Sequence, residues 1–68
     1  MGLGEKLRAR REGLGLEQLE IAQRVGVVPS CVSEWESGRM RPKRHRLPAL
    51  AKALRVSASR LTQWWMAA

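Results

Sequence analysis

Few side chains in this sequence could carry out chemistry, and their spacing brings no reactive set together. All six acidic residues are glutamates, and the chain has one cysteine, Cys31, and one histidine, His45. A structural zinc site needs about four nitrogen or sulfur ligands, so these two residues cannot form one. No nucleophile and base, or pair of acid and base carboxylates, stands out. The sequence therefore argues against an enzyme and predicts no metal, cofactor or small-molecule ligand.

Positive charge is the most informative chemical feature of the chain. Thirteen Lys and Arg residues against six Glu give a net charge of +7. Five of the eight residues from Arg39 to Arg46, a segment called here the basic loop, are Lys or Arg. Such an excess of positive charge favours a polyanionic partner. A solvated loop without a partner is the alternative for this cluster, and His45 is expected on its surface.

Length and composition predict a single domain spanning residues 1–68. A chain of 68 residues supports one small core. Its 44% hydrophobic and 28% charged residues are typical of a globular protein. A lone cysteine fits a reducing compartment, and no stretch resembles a signal peptide or a membrane span. These features predict a cytoplasmic protein without a membrane partner.

Hydrophobic spacing predicts five helices and no strand, so the expected fold class is all-α. The first helix covers roughly residues 2–12, with Leu3, Leu7 and Leu14 on its apolar stripe. The second covers about 17–25, carries Ile21, Ala22 and Val25 with Leu19 three residues before Ala22, and ends at a left-handed Gly26. Arg8, Arg10 and Arg24 are interpreted as ordinary surface charge.

The third predicted helix, about 29–36, has two contrasting sides. Its apolar side repeats at i, i+3, i+4 and i+7 and comprises Val28, Cys31, Val32 and Trp35. This pattern predicts that Cys31 is a core residue rather than a reactive thiol. Its polar side comprises Ser30, Ser33, Glu34 and Ser37. Pro29 suits the helix start and Gly38 suits its end.

The same apolar spacing predicts two more helices after the basic loop. Pro48 opens the fourth, and Ser57 is a good N-cap for the fifth. Trp64 and Trp65 are adjacent, so they cannot both point into one small core. The sequence therefore predicts that one of them remains exposed together with Met66, as a patch suited to an interface.

Arg11 lies on the apolar stripe of the first helix, four residues after Leu7. A guanidinium that faces a core needs an anion. Glu36 is the candidate partner, so we predict an Arg11–Glu36 ion pair.

Two short helices joined through Gly26 and followed by a basic loop have the layout of a helix-turn-helix. A helix of about two turns with small outward side chains can enter a DNA major groove, while flanking cations neutralise phosphates. Charge and geometry together therefore predict that double-stranded DNA is the partner.

The sequence resembles the Cro and C1 repressors of lambdoid phages and the related XRE-type bacterial regulators. The resemblance covers nearly the whole chain and rests on three segments. They are Leu16–Val27, Ser30–Gly38, and Leu47–Leu54 followed by Val56 and Ser57. The resemblance implies a compact five-helix lambda-repressor-like helix-turn-helix domain, with residues 29–36 as its recognition helix.

The resemblance also implies roles for individual residues. Gln18 would contact a DNA phosphate and brace the recognition helix, and Arg11 would pair with Glu36. The positions implied to face base edges are Pro29, Ser30 and Glu34, with Ser33 nearby. The remaining phosphate contacts are expected among Arg39, Arg41, Lys43, Arg44 and Arg46. Dimer contact is expected around Trp64, Trp65 and Met66.

The chain departs from the family at the start of the recognition helix. Val28 stands where many relatives have Ser or Thr, and it cannot accept a hydrogen bond from the first turn. Pro29 and Ser30 offer an apolar contact and one hydroxyl, so the operator sequence cannot be inherited from relatives. Glu34 has two open interpretations, namely accepting from a cytosine amino group or pairing within the chain, for example with Arg39.

By resemblance, the expected function is a sequence-specific transcriptional regulator, namely a repressor that binds a near-palindromic operator as a homodimer. A stand-alone Cro-like protein and the N-terminal part of a C1-type repressor would look alike here. An antitoxin-type protein-interaction module with secondary DNA binding is the alternative. A basic helical protein without sequence preference is a third possibility.

Overall fold

The computed structural model describes residues 1–68 and contains five α-helices and no strand. The helices are α1 (Leu3–Gly13), α2 (Gln18–Val25), α3 (Pro29–Ser37), α4 (Leu47–Ala53) and α5 (Ala58–Ala67). The all-α, five-helix prediction is confirmed, and α2 and α3 each differ from their predicted bounds by one residue. The second half of the basic loop is not irregular, because Arg44–Arg46 form one 3-10 turn that leads into α4. None of the helices has the length and apolar character that crossing a membrane requires.

Local sequence signals explain where the helices begin and end. The backbone N–H of Arg60 donates to Ser57 Oγ at 3.1 Å, which caps the start of α5 as predicted. The C-caps of α2 and α3 are Gly26 and Gly38, with φ of 85° and 83°. These left-handed turns are accessible to glycine without steric cost, so the chain can turn at Gly26 from α2 into α3 and at Gly38 from α3 into the basic loop.

Helix packing holds α3 against α1 and α2. Helix α1 packs against both α3 and α5, while α2 packs against α3 and α4. Thirteen buried apolar residues form one core, to which all five helices contribute. Ile21, Leu50, Leu54 and Leu61 are its largest fully buried aliphatic side chains. Because α3 lies between α1 and α2, its orientation is set on two sides.

The N-terminal turn of α1 approaches the last turn of α3 very closely at Gly4. A Cβ atom on Gly4 would lie 2.6 Å from the carbonyl oxygen of Trp35, and the Glu36 carbonyl is closer still. Real Cβ atoms do not tolerate such contacts with backbone. Glycine is therefore needed here for packing between helices, and not for a turn.

The predicted apolar stripes are wrong at three positions near helix ends. Val28 is 60% exposed and Leu19 is 52% exposed, and Leu14 is only half-buried. Val28 is the N-cap of α3 with extended backbone, so its side chain lies outside the face that Val32 and Trp35 bury. No side chain caps α3, as the valine predicts. Cys31 is half-buried against the core and behaves as a packing residue.

Arg10 is not the ordinary surface charge that the sequence suggested. Its Nε donates to the carbonyl of Leu54 and its Nη2 to the carbonyl of Arg55, each at 2.9 Å. These carbonyls lie at the end of α4, where backbone acceptors lack helical partners and a positive charge is favourable. Arg10 therefore fastens α1 to the turn between α4 and α5.

Candidate nucleic-acid interface

Arg11, Gln18 and Glu36 form a buried network, called here the Glu36 network, that joins three helices. Arg11 Nε and Nη2 donate to the two carboxylate oxygens of Glu36 at 2.7 and 3.0 Å. Gln18 Nε2 donates to Glu36 Oε1 at 3.0 Å. The Arg11 and Glu36 side chains are only 11% and 6% exposed. The hydrogen bond to Glu36 raises the pKa of Arg11 above its ordinary value, so the guanidinium stays charged.

The Glu36 network fixes the position of α3 through its last turn. Arg11 comes from α1, Gln18 from the start of α2, and Glu36 from α3. Arg11 also donates through Nη1 to the Leu16 carbonyl at 2.9 Å, which ties the loop before α2 to the same group. Bidentate pairs of this kind fix orientation as well as distance. The polar side of α3 is thus presented on a rigid support.

The polar side of α3 has side chains that the fold does not use. Pro29, Ser30, Ser33 and Ser37 are exposed, and Glu34 is half-buried. No hydrogen bond or ion pair engages the side chains of Ser30, Ser33 or Glu34. In particular, Glu34 and Arg39 form no ion pair, although the Arg39 backbone N–H donates to the Glu34 carbonyl at 3.1 Å. The Glu34 carboxylate is therefore available to an external donor.

The basic loop follows α3 in the chain and lies against one flank of that helix. Lys43, His45 and Arg46 line a groove together with Val27, Cys31 and Trp35, which places the loop against the turn before α3 and the apolar flank of the helix. None of the loop cations has an acidic partner, since the only ion pairs of the protein are Arg8–Glu12 and Arg11–Glu36. Uncompensated cations next to an open polar helix face are the arrangement expected at a surface that binds polyanions.

Arg41 is the one cation of the loop that turns to the C-terminal helix. Its guanidinium carbon lies 4.4 Å from the centre of the Trp65 ring, and the group donates to the Trp65 carbonyl. Trp65 Nε1 in turn donates to the Pro42 carbonyl at 2.8 Å. Arg41, Pro42 and Trp65, called here the Trp65 strap, hold the loop onto α5.

The prediction that one of the two adjacent tryptophans is exposed is wrong. Trp64 and Trp65 are both half-buried and pack on the core from different sides of α5. Each ring has a cation beside it, Arg41 for Trp65 and Lys6 with Arg60 for Trp64. Only Met66, at 71% exposed, matches the predicted open patch.

Sequence reasoning missed the residue that anchors the basic loop. Pro42 is fully buried, although it lies between the cations Arg41 and Lys43. Its position inside a charged segment was the available signal, because a proline there fixes the backbone and has an apolar ring to bury. The buried proline and the Trp65 strap together give the loop one defined path.

This fold and site define a helix-turn-helix domain, in which α2, the Gly26 turn and α3 form the motif. The family model described as "Helix-turn-helix domain" matches residues 2–64. The chain belongs to this helix-turn-helix family, and the predicted resemblance to Cro and C1 repressors is confirmed.

Two curated relatives are similar over most of this chain. Repressor protein C2 of Salmonella phage P22 is 40% identical over 55 residues, which cover 81% of this chain and 26% of the repressor. An uncharacterized transcriptional regulator in the ATPase CF(0) region of Rhodospirillum rubrum is 41% identical over 54 residues, covering 79% of this chain and 50% of that protein. The chain thus spans about a quarter and about half of the lengths of these relatives.

Solved structures show the same architecture. The crystal structure of the P22 c2 repressor with synthetic operator 9T matches with a TM-score of 0.83 and 38% identity, covering 90% of this chain and 92% of that one. The restriction-modification controller protein C.AhdI of Aeromonas hydrophila matches with a TM-score of 0.80 and 30% identity, covering 87% and 89%. The lambda-repressor-like helix-turn-helix fold is therefore confirmed.

Proposed function

We propose that this chain is a sequence-specific DNA-binding transcriptional regulator, a repressor of the Cro and C1 kind that acts by occupying an operator. The observation that carries the proposal is the polar side of α3. The side chains of Ser30, Ser33 and Glu34 are unused within the fold, the helix is held by the Glu36 network, and the cations of the adjacent basic loop have no acidic partner. The structural match to a repressor that was crystallised with its operator supports the same conclusion.

In this proposal, α3 enters the major groove and reads base edges. Ser30 and Ser33 each offer a hydroxyl that can donate or accept, and Pro29 offers an apolar contact for a thymine methyl group. Glu34 accepts from the N4 amino group of a cytosine. A carboxylate that lacks this partner is repelled by the nearby phosphates, so Glu34 also rejects wrong sites.

Phosphate contacts come from the basic loop and from α2. Arg39, Lys43, Arg44 and Arg46 neutralise the backbone beside the groove. Gln18 uses one amide N–H for Glu36 and has a second for a phosphate oxygen. Arg41 holds the loop on Trp65 and is not counted among the phosphate contacts.

The protein binds as a homodimer to a near-palindrome with half-sites about one helical turn apart, roughly 10–10.5 bp. The surface proposed for the contact is the end of α5. Met66 is exposed there, and the half-buried Trp65 lies one residue before it. Trp64 lies beside Lys6 of α1 and is not counted in this contact. Exposed apolar patches on small proteins often mark such interfaces.

Selection of sites from a randomised DNA pool tests the proposal directly. The purified protein is used at near-physiological salt, so that non-specific binding is suppressed. We expect enrichment of a two-fold related sequence. Binding at low salt without any enriched sequence would overturn the proposal and leave the two alternatives, a protein-interaction module and a basic protein without sequence preference.

Two kinds of variant distinguish residues that contact base edges from residues that contact phosphates. Ser30→Ala and Glu34→Ala are expected to change which base is preferred at the contacted position. The binding free energy that separates the preferred base from the others should change by about 1–3 kcal/mol. Arg44→Ala is expected to weaken binding to all sequences alike and to reduce the salt slope by about one. Arg60→Ala, which removes the same charge from α5, is the control and should leave the operator affinity nearly unchanged. A changed base preference in Arg44→Ala would contradict the assignment of Arg44 to phosphate.

A further inference from the structure

A second cationic surface lies between α1 and the start of α5. Lys6 and Arg10 from α1, Arg55 from the turn after α4, and Arg60 from α5 line one open groove of about 550 Å³. Trp64 and Val56 form its apolar floor, and no carboxylate lines it. We call this surface the Trp64 groove.

The charges of the Trp64 groove are not neutralised within the protein. Lys6, Arg55 and Arg60 take part in no ion pair. Lys6 Nζ and the Arg60 guanidinium carbon lie 5.9 and 5.8 Å from the centre of the Trp64 ring, so both cations stand beside an aromatic ring and not beside a carboxylate. Arg60 also stands in the first turn of α5, where the helix dipole disfavours a cation. An anion bound beside Arg60 would offset this unfavourable interaction and would neutralise charges that have no acidic partner.

The Trp64 groove is on the opposite side of α1 from the proposed DNA surface. Successive helical residues are rotated by about 100°, so Gly4 and Arg11 share one face of α1 while Lys6 and Arg10 share another. Gly4 and Arg11 face α3, as their contacts show. A ligand in the groove can therefore bind while α3 is on DNA.

The chemistry of the groove fits an acidic peptide better than a nucleic acid. A single strand is held by stacking its bases on open aromatic faces, but cations already lie over the Trp64 ring. A peptide that alternates acidic and apolar side chains can place carboxylates between Arg55 and Arg60, and apolar groups on Val56 and on the edge of Trp64.

We propose that the Trp64 groove binds an acidic, partly apolar peptide segment of a partner protein. This inference goes beyond the proposed operator binding and does not depend on it. It assigns the protein two surfaces for two anionic ligands, with DNA at α3 and a partner peptide across α1 from it.

The test uses a short fluorescein-labelled peptide of alternating Glu and Leu, a Lys and Leu peptide of the same length, and ¹⁵N-labelled protein. We expect the acidic peptide alone to shift the amides of Lys6, Arg10, Arg55 and Arg60 and the Trp64 indole signal. The double variant R55E/R60E is expected to weaken binding by about tenfold in fluorescence anisotropy. The substitution at Arg60 suits the fold, because Glu three residues after the Ser57 N-cap completes a capping box.

The matched control reverses two charges elsewhere, at Arg24 and Lys52, which lie together beside α4 and away from the groove. R24E/K52E should bind the peptide within about twofold of the unmodified protein. An equal loss in both double variants would overturn the proposal, because binding would then depend on net charge alone. Peptide shifts confined to α3 and the basic loop would also overturn it. If R55E/R60E unfolds, the single variant R60E provides the same comparison.

Discussion

The Glu36 network and the Trp65 strap each position half of the proposed DNA surface, but they do so under different physical conditions. The Glu36 network holds α3 with charged groups that are about nine-tenths buried. The Trp65 strap holds the basic loop with the buried Pro42 and with a cation over a half-buried aromatic ring. The comparison teaches that α3 is held by buried charges, whereas the basic loop is held by partly exposed contacts around one buried proline.

The largest effect is expected when the charge of Glu36 is removed. Glu36→Gln leaves the Arg11 guanidinium buried without its anion, so we expect a loss of about 3–5 kcal/mol in the free energy of unfolding, measured in urea. The control is Glu12→Gln in the Arg8–Glu12 pair, whose side chains are 63% and 55% exposed and where the expected loss is under about 1 kcal/mol. Equal losses in the two variants would show that burial does not distinguish these pairs.

The next largest effect is expected at Gly4, which lets α1 approach the end of α3. In Gly4→Ala, the added methyl group meets the carbonyls of Trp35 and Glu36, so α1 must shift and the Glu36 network must lengthen. We expect a loss of about 2–3 kcal/mol, measured by thermal unfolding. Gly13→Ala on the same helix has open space around it and should leave stability unchanged or slightly higher. If Gly4→Ala left the stability unchanged, α3 would not be held closely against α1 at this position.

A smaller effect is expected when the Trp65 strap loses its hydrogen bond. Trp65→Phe keeps a ring for Arg41 but removes the donor to the Pro42 carbonyl, which should cost about 1 kcal/mol. We also expect faster hydrogen exchange in the basic loop and a DNA affinity that falls by a few-fold, with the preferred sequence unchanged. Trp64→Phe, which removes no such hydrogen bond, is the control. A changed base preference in Trp65→Phe would contradict the separation between the two regions.

The smallest effect is expected from Arg41→Gln, which removes the cation over the Trp65 ring. An exposed cation–π contact contributes about 0.5–1 kcal/mol, and thermal unfolding should show a loss in that range. The salt dependence of DNA binding discriminates further. If Arg41 only holds the loop, Arg41→Gln should change the salt slope of DNA binding much less than Arg44→Ala does. An equal reduction of the salt slope in both variants would show that Arg41 contacts a phosphate.

Much of the fold was predictable because each helix has a regular apolar spacing and clear end signals. The Arg11–Glu36 contact is also predictable, since a cation on an apolar stripe requires a buried anion. Errors arose at helix ends, where a residue such as Val28 fits the periodic pattern but has extended backbone. Periodicity describes only residues that are already within the helix.

The other features that the sequence did not predict are contacts between segments that are distant along the chain. Nothing near Arg10 in the sequence reveals the Leu54 and Arg55 carbonyls that it binds. Their adjacency in the sequence predicts that Trp64 and Trp65 compete for one core, but the basic loop and α1 each provide a separate surface for one ring. These outcomes depend on how the helices pack, which local patterns do not specify.

The contacts of Arg10 also bear on how the chain is closed into a domain. Arg10 lies in α1, whereas its acceptors Leu54 and Arg55 follow 44 and 45 residues later in the chain. Bringing such distant residues together costs loop-closure entropy, which the packing of the intervening helices must offset. This clasp therefore contributes to stability only when α2, α3 and α4 are already packed between the residues that it joins.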